Sequence, residues 1–383
     1  MKVYLDHSAT TPVLRRVAEV MAPYFTEKFG NASSMHFFGK EAKKALEDSR
    51  NTVASLIGAG PDEIFFTSGG TEANNIALLG LARASQKKTL FLSKIEHEAV
   101  MEPCAFLKEC GYRVYTIPVD RDGIVDLDFL RDRIDDDTFL VSVMSANNET
   151  GSLQPLEDIR IISDRVGAVL HTDAVQAVGK MKVDTEALGI GMLSASSHKF
   201  YGPKGAGFLY IKRGLHPLPI IFGGGHEKNV RSGTENVPGA VGMAEALSIV
   251  SRSLESNNER YKSWKKMIID ELSSIQGFHI NQNPGKSLPN IINMSFIGIN
   301  GESLAEMLSL NGIAVSTASA CTSHKKDGKG YSRVLDAMGM DAECAGSAIR
   351  VSTGIDNDDD QISYFIDTVK KVTGQLRRYS SGI

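Results

Sequence analysis

The chain has 383 residues, 42% of them hydrophobic and 23% charged, which is the composition of a folded protein too long for one ordinary core. A net charge of −4 excludes the basic excess that a general nucleic-acid or membrane-surface binder needs, and no apolar run is long enough to span a bilayer. Met1-Lys2 runs straight into Val3-Tyr4-Leu5 without a signal-peptide pattern, so a cytoplasmic protein with free thiols is expected.

Thr11-Pro12 reads as an N-cap and first-turn pair opening a helix to about Tyr24. An amphipathic helix is expected after His36, with Ala42, Leu46, Val53 and Leu56 on one stripe and Gly58 as its stop. Strands are expected at 64–67, 89–93, 113–119, 139–145, 169–173, 192–196 and 207–211. Helices are expected at 72–84, 99–110, 127–134 and 156–166. This alternation predicts an α/β fold with a mainly parallel seven-stranded sheet covered on both faces. Ligands in such sheets sit at the carboxyl ends of the strands. From about Pro238 a long helical stretch runs to Ile275. Strands at 291–296, 313–315 and 349–352, a helix at 302–310 and a final helix then form a smaller α+β domain. Residues 322–330, rich in Lys, Gly and Ser, are the expected flexible segment.

The chemistry falls on strand ends. Thr67-Ser68-Gly69-Gly70-Thr71-Glu72 joins a strand to a helix and suits an anion at exposed backbone N–H groups, although an ordinary glycine turn with a threonine cap uses the same residues. It is neither a Walker A loop nor a G-x-G-x-x-G fingerprint, which argues against a nicotinamide dehydrogenase. Ser194-Ala195-Ser196-Ser197-His198-Lys199 ends a strand in hydroxyls, a histidine and a lysine. A buried lysine is costly unless paired or covalently used, and burial lowers its pKa toward that of an imine-forming amine. A solvated loop lysine is the alternative, but neighbouring hydroxyl and imidazole groups offer phosphate donors. Asp173, after another apolar strand, can accept from a protonated ring nitrogen or cap the next helix. His97 suits stacking or proton transfer, and Asn148 suits ligand contact or an Asx turn. Arg231 to Asn236, after the glycines 223–225, suits anion contact or a surface turn. Cys321, among small and hydroxyl residues before a lysine-rich loop, is the expected accessible thiol. Cys104 and Cys110 lie in an apolar helix and Cys344 lies near Ala342 and Ala345, so these three are expected in the core. No C-x-x-C pair suggests a zinc site, and no metal is expected. Arg350, alternating within a strand, suits bidentate capture of a carboxylate.

Taken together, these segments resemble the pyridoxal-phosphate cysteine desulfurases of the class-V aminotransferase family. The likeness runs from Tyr4-Leu5-Asp6-His7 through Gly30–Ser34, Thr67–Asn75 and Arg231–Pro238 to the Arg350 strand. Ala320-Cys321-Thr322-Ser323 before a long loop is similar to the iron–sulfur-type group with an extended catalytic loop. The resemblance implies fold type I, with an N-terminal segment 1–14 packing on the small domain, a large cofactor-binding domain at 15–255, and a small domain at 256–383 that carries the cysteine loop. It implies that Lys199 binds pyridoxal 5'-phosphate as a Schiff base, and that Gly70, Thr71, Ser196 and His198 hold its phosphate. Thr234 reaches the partner subunit's phosphate, which implies a homodimer. Asp173 pairs with the ring nitrogen, Gln176 contacts the ring hydroxyl and His97 stacks on the ring as part of the catalytic set. Asn148 and Arg350 hold the substrate carboxylate, and Cys321 takes the sulfur from L-cysteine for delivery to an acceptor protein in iron–sulfur cluster assembly or tRNA thiolation. The sequence departs from the family's pattern at Thr317-Ala318 and at His226, neither of them a reacting group. A selenocysteine lyase or a small-amino-acid aminotransferase of the same fold is the alternative, together with a non-catalytic partner-binding relative. Cys321 speaks against the aminotransferase, and Lys199 with Cys321 against the non-catalytic relative.

Overall fold

The computed structural model describes residues 1–317 and 331–380. Cys321 and the segment 322–330 lie outside the described residues. The strands are β1 (Val3–Tyr4), β2 (Ile64–Thr67), β3 (Thr89–Ser93), β4 (Arg113–Ile117), β5 (Thr138–Ser142), β6 (Val169–Asp173), β7 (Met192–Ser196), β8 (Gly207–Ile211), β9 (Phe278–Ile280), β10 (Ile291–Phe296), β11 (Ile313–Ala314), β12 (Ser316–Thr317) and β13 (Ala348–Ser352).

The large sheet has seven strands in the order β2-β8-β7-β6-β5-β3-β4. Its pairs are parallel except for those that β8 makes with β7 and β2. The exception has a simple cause. The 197–206 connection between β7 and β8 is too short for a covered crossover, so the chain must turn straight back. Strands β2, β3, β5, β7 and β8 are buried at every residue, as apolar runs covered on both faces should be.

Alternate side chains build two separate cores. Ile64, Phe66, Phe91, Val141, Leu193 and Phe208 pack with the Phe37–Leu56 and Val237–Arg252 helices. Phe65, Leu90, Leu92, Leu140, Met192 and Leu209 pack with the stretch 73–82 and the Glu98–Glu109 helix. A third large core gathers around Trp264, Phe296 and Phe365, between the four-stranded sheet β12-β13-β10-β9 and the Leu254–Leu272 and Asp359–Ser380 helices. Val3 and Leu5 are buried in it, because β1 pairs in parallel with β11. The chain then crosses from this core to the carboxyl edge of the large sheet, and residues 6–11 touch both.

Several local expectations are corrected. The first helix begins at Arg15, not Pro12, with Leu14 at its N-cap. Thr11 is used elsewhere: its hydroxyl donates to the His198 carbonyl (2.9 Å) and accepts from the Tyr201 N–H (2.7 Å). The helix expected from Glu72 begins at Gly70 and widens into a π-turn over Ile76–Gly80 before closing at Ala84. The long helix after Pro238 is two, Val237–Arg252 and Leu254–Leu272. The expected strand at 313–315 is split into β11 and β12, and β9 was not anticipated. Cys104 and Cys344 are buried, but Cys110 is exposed. It caps the end of its helix, four residues after the exposed Phe106, and so lies on the outer face. Among the described residues no helix is long and apolar enough to cross a membrane.

Candidate active site

A cavity of about 740 Å³ opens at the carboxyl ends of the large sheet, where the strand-end rule places ligands. Gly70, Thr71, His97, Asn148, Asp173, Gln176, Ser196, His198, Lys199 and Arg350 all line it. Thr234 does not; it is exposed in the loop that precedes the Val237–Arg252 helix.

Lys199 ends the short 3-10 turn that follows β7. Its Nζ donates to the Ser8 carbonyl at 2.6 Å and the Ala9 carbonyl at 2.8 Å, so the crossing N-terminal segment forms the lysine's cradle. Tyr201, two residues on, is buried at φ 68°, a region few side chains adopt without support. The support is Thr11 at its N–H and the Ile355 N–H at its hydroxyl (2.8 Å). Residue 202 must be glycine, because a Cβ there would meet Ser197 Oγ at 1.9 Å. Beside Lys199, His198 shares a hydrogen bond with Thr10 (3.1 Å). Burial, then the charge of Lys199, pulls its pKa down to about 4.

Asp173 closes β6 and is 5% exposed. Its Oδ1 accepts from the Val175 N–H (3.0 Å) and its Oδ2 from Asn74 Nδ2 (2.7 Å). Gln176 donates from Nε2 to the Ser8 carbonyl (2.9 Å) and accepts at Oε1 from Lys180. One amide hydrogen of Nε2 is left for another acceptor. Lys180 is fully buried, and burial, then Lys199 and Arg350, hold its pKa well below the usual lysine range.

His97 caps the Glu98–Glu109 helix, its Nδ1 accepting from the Ala99 N–H at 3.0 Å. A neutral ring therefore carries its hydrogen on Nε2. The neighbouring Glu96 is buried behind the pocket, accepting from Ser93 Oγ (2.6 Å) and the Met144 N–H (2.7 Å). Burial pushes its carboxyl up to about 8. Arg333 straps the same turn by donating to the carbonyls of Lys94 and Glu96.

Arg350, on β13, donates to the Asn148 carbonyl (2.9 Å) and to Asp6 Oδ1 (2.6 Å). A carboxylate already meets this guanidinium, and it comes from the chain's own first residues. Arg231, expected at an anion, is committed instead to Glu72 (2.8 Å). His171 is a core residue between Ser142 (2.8 Å) and Ser194 (3.1 Å), and burial pulls its pKa down to about 3.

Asp6, Ser8, Ala9, Asn74 and Lys180 were not singled out from the sequence. Ser8 and Ala9 act through backbone carbonyls, which carry no side-chain signal. Asn74 lies one turn beyond Gly70, and the i, i+4 spacing was the available clue.

The sequence as a whole matches the family model Aminotransferase class-V over residues 3–365. It is 43% identical over 382 residues to the cysteine desulfurase IscS of Dictyoglomus turgidum, covering 99% of this chain and 96% of that one. Among solved structures, a NifS-like protein superposes with TM-score 0.93 at 40% identity, covering 98% of this chain and 100% of that one. A structure of SspA in complex with cysteine superposes with TM-score 0.81 at 32% identity, covering 92% and 98%. The chain belongs to the class-V aminotransferase family, on its cysteine desulfurase branch.

The family's cofactor is pyridoxal 5'-phosphate, and the residues present fit it. At Gly70 a Cβ would crowd Val175 Cγ2 at 2.7 Å, so bare backbone fits best where the strand-to-helix turn faces the pocket. Two polar atoms on the lining, Ser8 Oγ and Asn74 Oδ1, are buried without a partner among the described residues. The donor set of hydroxyls, imidazole, carboxylate and lysine suits a phosphorylated heteroaromatic aldehyde.

Proposed function

We propose that this chain takes sulfur from L-cysteine, leaves L-alanine, and passes the sulfur through Cys321 to an acceptor protein serving iron–sulfur cluster assembly or tRNA thiolation. The carrying observation is the meeting of three groups in one cavity: the Lys199 amine, the Asp173 carboxylate and the Arg350 guanidinium.

Pyridoxal phosphate would supply an electron sink for the bond electrons at the substrate Cα. Gly70, Thr71, Ser196 and His198 would hold its phosphate, Lys199 Nζ its aldehyde carbon, Asp173 its ring nitrogen and Gln176 its ring hydroxyl. His97 would cover one ring face. Arg350 and Asn148 would hold the substrate carboxylate and so fix the Cα hydrogen toward Lys199, whose freed Nζ is the base that moves that proton. The Cys321 thiolate then takes the substrate sulfur as a persulfide, with alanine as the other product. A reducing cytoplasm keeps Cys321 a thiol between turnovers.

Thr234, away from the cavity of its own chain, is assigned to the phosphate of the partner subunit in a homodimer. The exposed Phe25, Phe29, Met35 and Phe37, within thirteen residues of one another in the chain, are the apolar side chains such a contact would cover.

The test is incubation with L-cysteine, measuring alanine and sulfide for the wild type, Lys199→Ala and Cys321→Ser. Both variants should lose sulfide release, with Cys321→Ser retaining cofactor. Wild-type sulfide release by Cys321→Ser would remove the thiol from the mechanism.

A further inference from the structure

Asn74 is fully buried on the pocket lining, at the fifth position of the Gly70–Asn75 helix. Its Nδ2 donates to Asp173 Oδ2 at 2.7 Å. Its Oδ1 is buried without a partner among the described residues. The amide cannot be turned round, since that would set its oxygen against a carboxylate oxygen. The side chain therefore leaves an acceptor unmatched in order to give Asp173 a donor, a costly arrangement for a residue that only fills space.

The other oxygen of Asp173 accepts from the Val175 N–H at 3.0 Å. Both donors are amide N–H groups that cannot accept in return. Each oxygen of Asp173 thus accepts from one amide, which fixes the side chain in one rotamer. Gly70 and Asn74 are four residues apart and share one helix face. A single helical turn therefore ties the glycine turn on the cavity lining to the Asp173 carboxylate.

We infer that Asn74 is a positioning residue, whose carboxamide orients Asp173 toward the ring nitrogen of the cofactor. The inference rests on the assignment of Asp173 to that nitrogen.

The experiment uses the full-length protein loaded with pyridoxal phosphate and compares wild type, Asn74→Ala, Asn74→Asp and the exchanged pair N74D/D173N. Cofactor retention is measured by dialysis, and the absorbance of the bound cofactor is titrated against pH without substrate. Asn74→Ala should weaken cofactor binding by roughly 10- to 100-fold, the loss of one charge-assisted hydrogen bond. Asn74→Asp sets two carboxylates in contact to share one proton, adding a step to the absorbance titration. The exchanged pair restores one acid facing one amide, so thermal stability should recover while cofactor binding stays weak. A space-filling role predicts instead that the isosteric Asn74→Asp variant keeps wild-type cofactor retention. Wild-type retention and an unchanged titration in both single variants would overturn the inference while leaving the proposed activity standing. A wild-type protein in which borohydride cannot fix the cofactor to Lys199 would overturn both.

Discussion

At the β6 side of the cavity the charged group is sealed. Asp173 is held by amide donors alone, and neither donor can exchange one acid for another. At the β13 side, Arg350 is just as buried, with 6% of its side chain exposed, but its partner Asp6 is an acid with 20% exposed that itself lines the cavity. A carboxylate capped by amides suits a group that stays bound through many turnovers. A guanidinium paired to a movable carboxylate suits one that arrives and leaves, because an incoming carboxylate can replace the acid already there at little net electrostatic cost. On the proposed reading, the pocket would have a resident side at Asp173 and an exchange side at Arg350.

The largest effect falls on the amine between them. Lys199→Ala should lower turnover by roughly 10²–10⁴-fold from the lost proton transfer alone, together with the cofactor's Schiff-base absorbance; retention of either would detach Lys199 from the chemistry. On the exchange side, Arg350→Lys keeps the charge but loses the fork, and should reduce kcat/KM for cysteine by roughly 10- to 100-fold, mainly through KM. Asp6→Asn sharpens the contrast. Freeing Arg350 should lower KM for cysteine by about two- to tenfold, while thermal stability falls because a buried guanidinium loses its counter-charge. A raised KM would mean that Asp6 orients the guanidinium and does not yield it.

The effect furthest from the chemistry is on stability against pH, behind the pocket. Burial holds the Glu96 carboxyl near 8 against an ordinary value of 4.5. Between those values the folded chain keeps a proton that the unfolded chain releases, so stability falls as pH rises through this window. Glu96→Gln should remove a slope of at most about 1.4 kcal/mol per pH unit there, leaving stability at pH 4 nearly unchanged. Denaturant midpoints at pH 5, 7 and 9 check this, and parallel curves for the two proteins would contradict it.

Much of this was legible in the sequence for a physical reason. The strands at 64–67, 89–93, 169–173, 192–196 and 207–211 are largely buried, so their apolar runs are sharply bounded, and Asp173 and Ser196, which end two of the parallel strands, line the cavity. The rest depends on contacts between distant parts of the chain. Thr11 looks like a helix cap but is spent on His198 and Tyr201, which no local pattern encodes. The π-turn at 76–80 changes the hydrogen-bond step without changing hydropathy. Lys180 has no local signal of burial, yet it is buried with Gln176 accepting from it. Arg350 was read correctly as an inward guanidinium, but its tie to Asp6 spans 344 positions and had no sequence signal.

The most direct measurement is intact-mass and peptide analysis of the loaded protein after one turnover with L-cysteine in the absence of any acceptor or reductant. One added sulfur atom on the peptide containing Cys321, with one equivalent of alanine released, is the predicted result. Alanine without added sulfur on Cys321, or formation of a keto acid in place of alanine, would contradict sulfur transfer through this thiol.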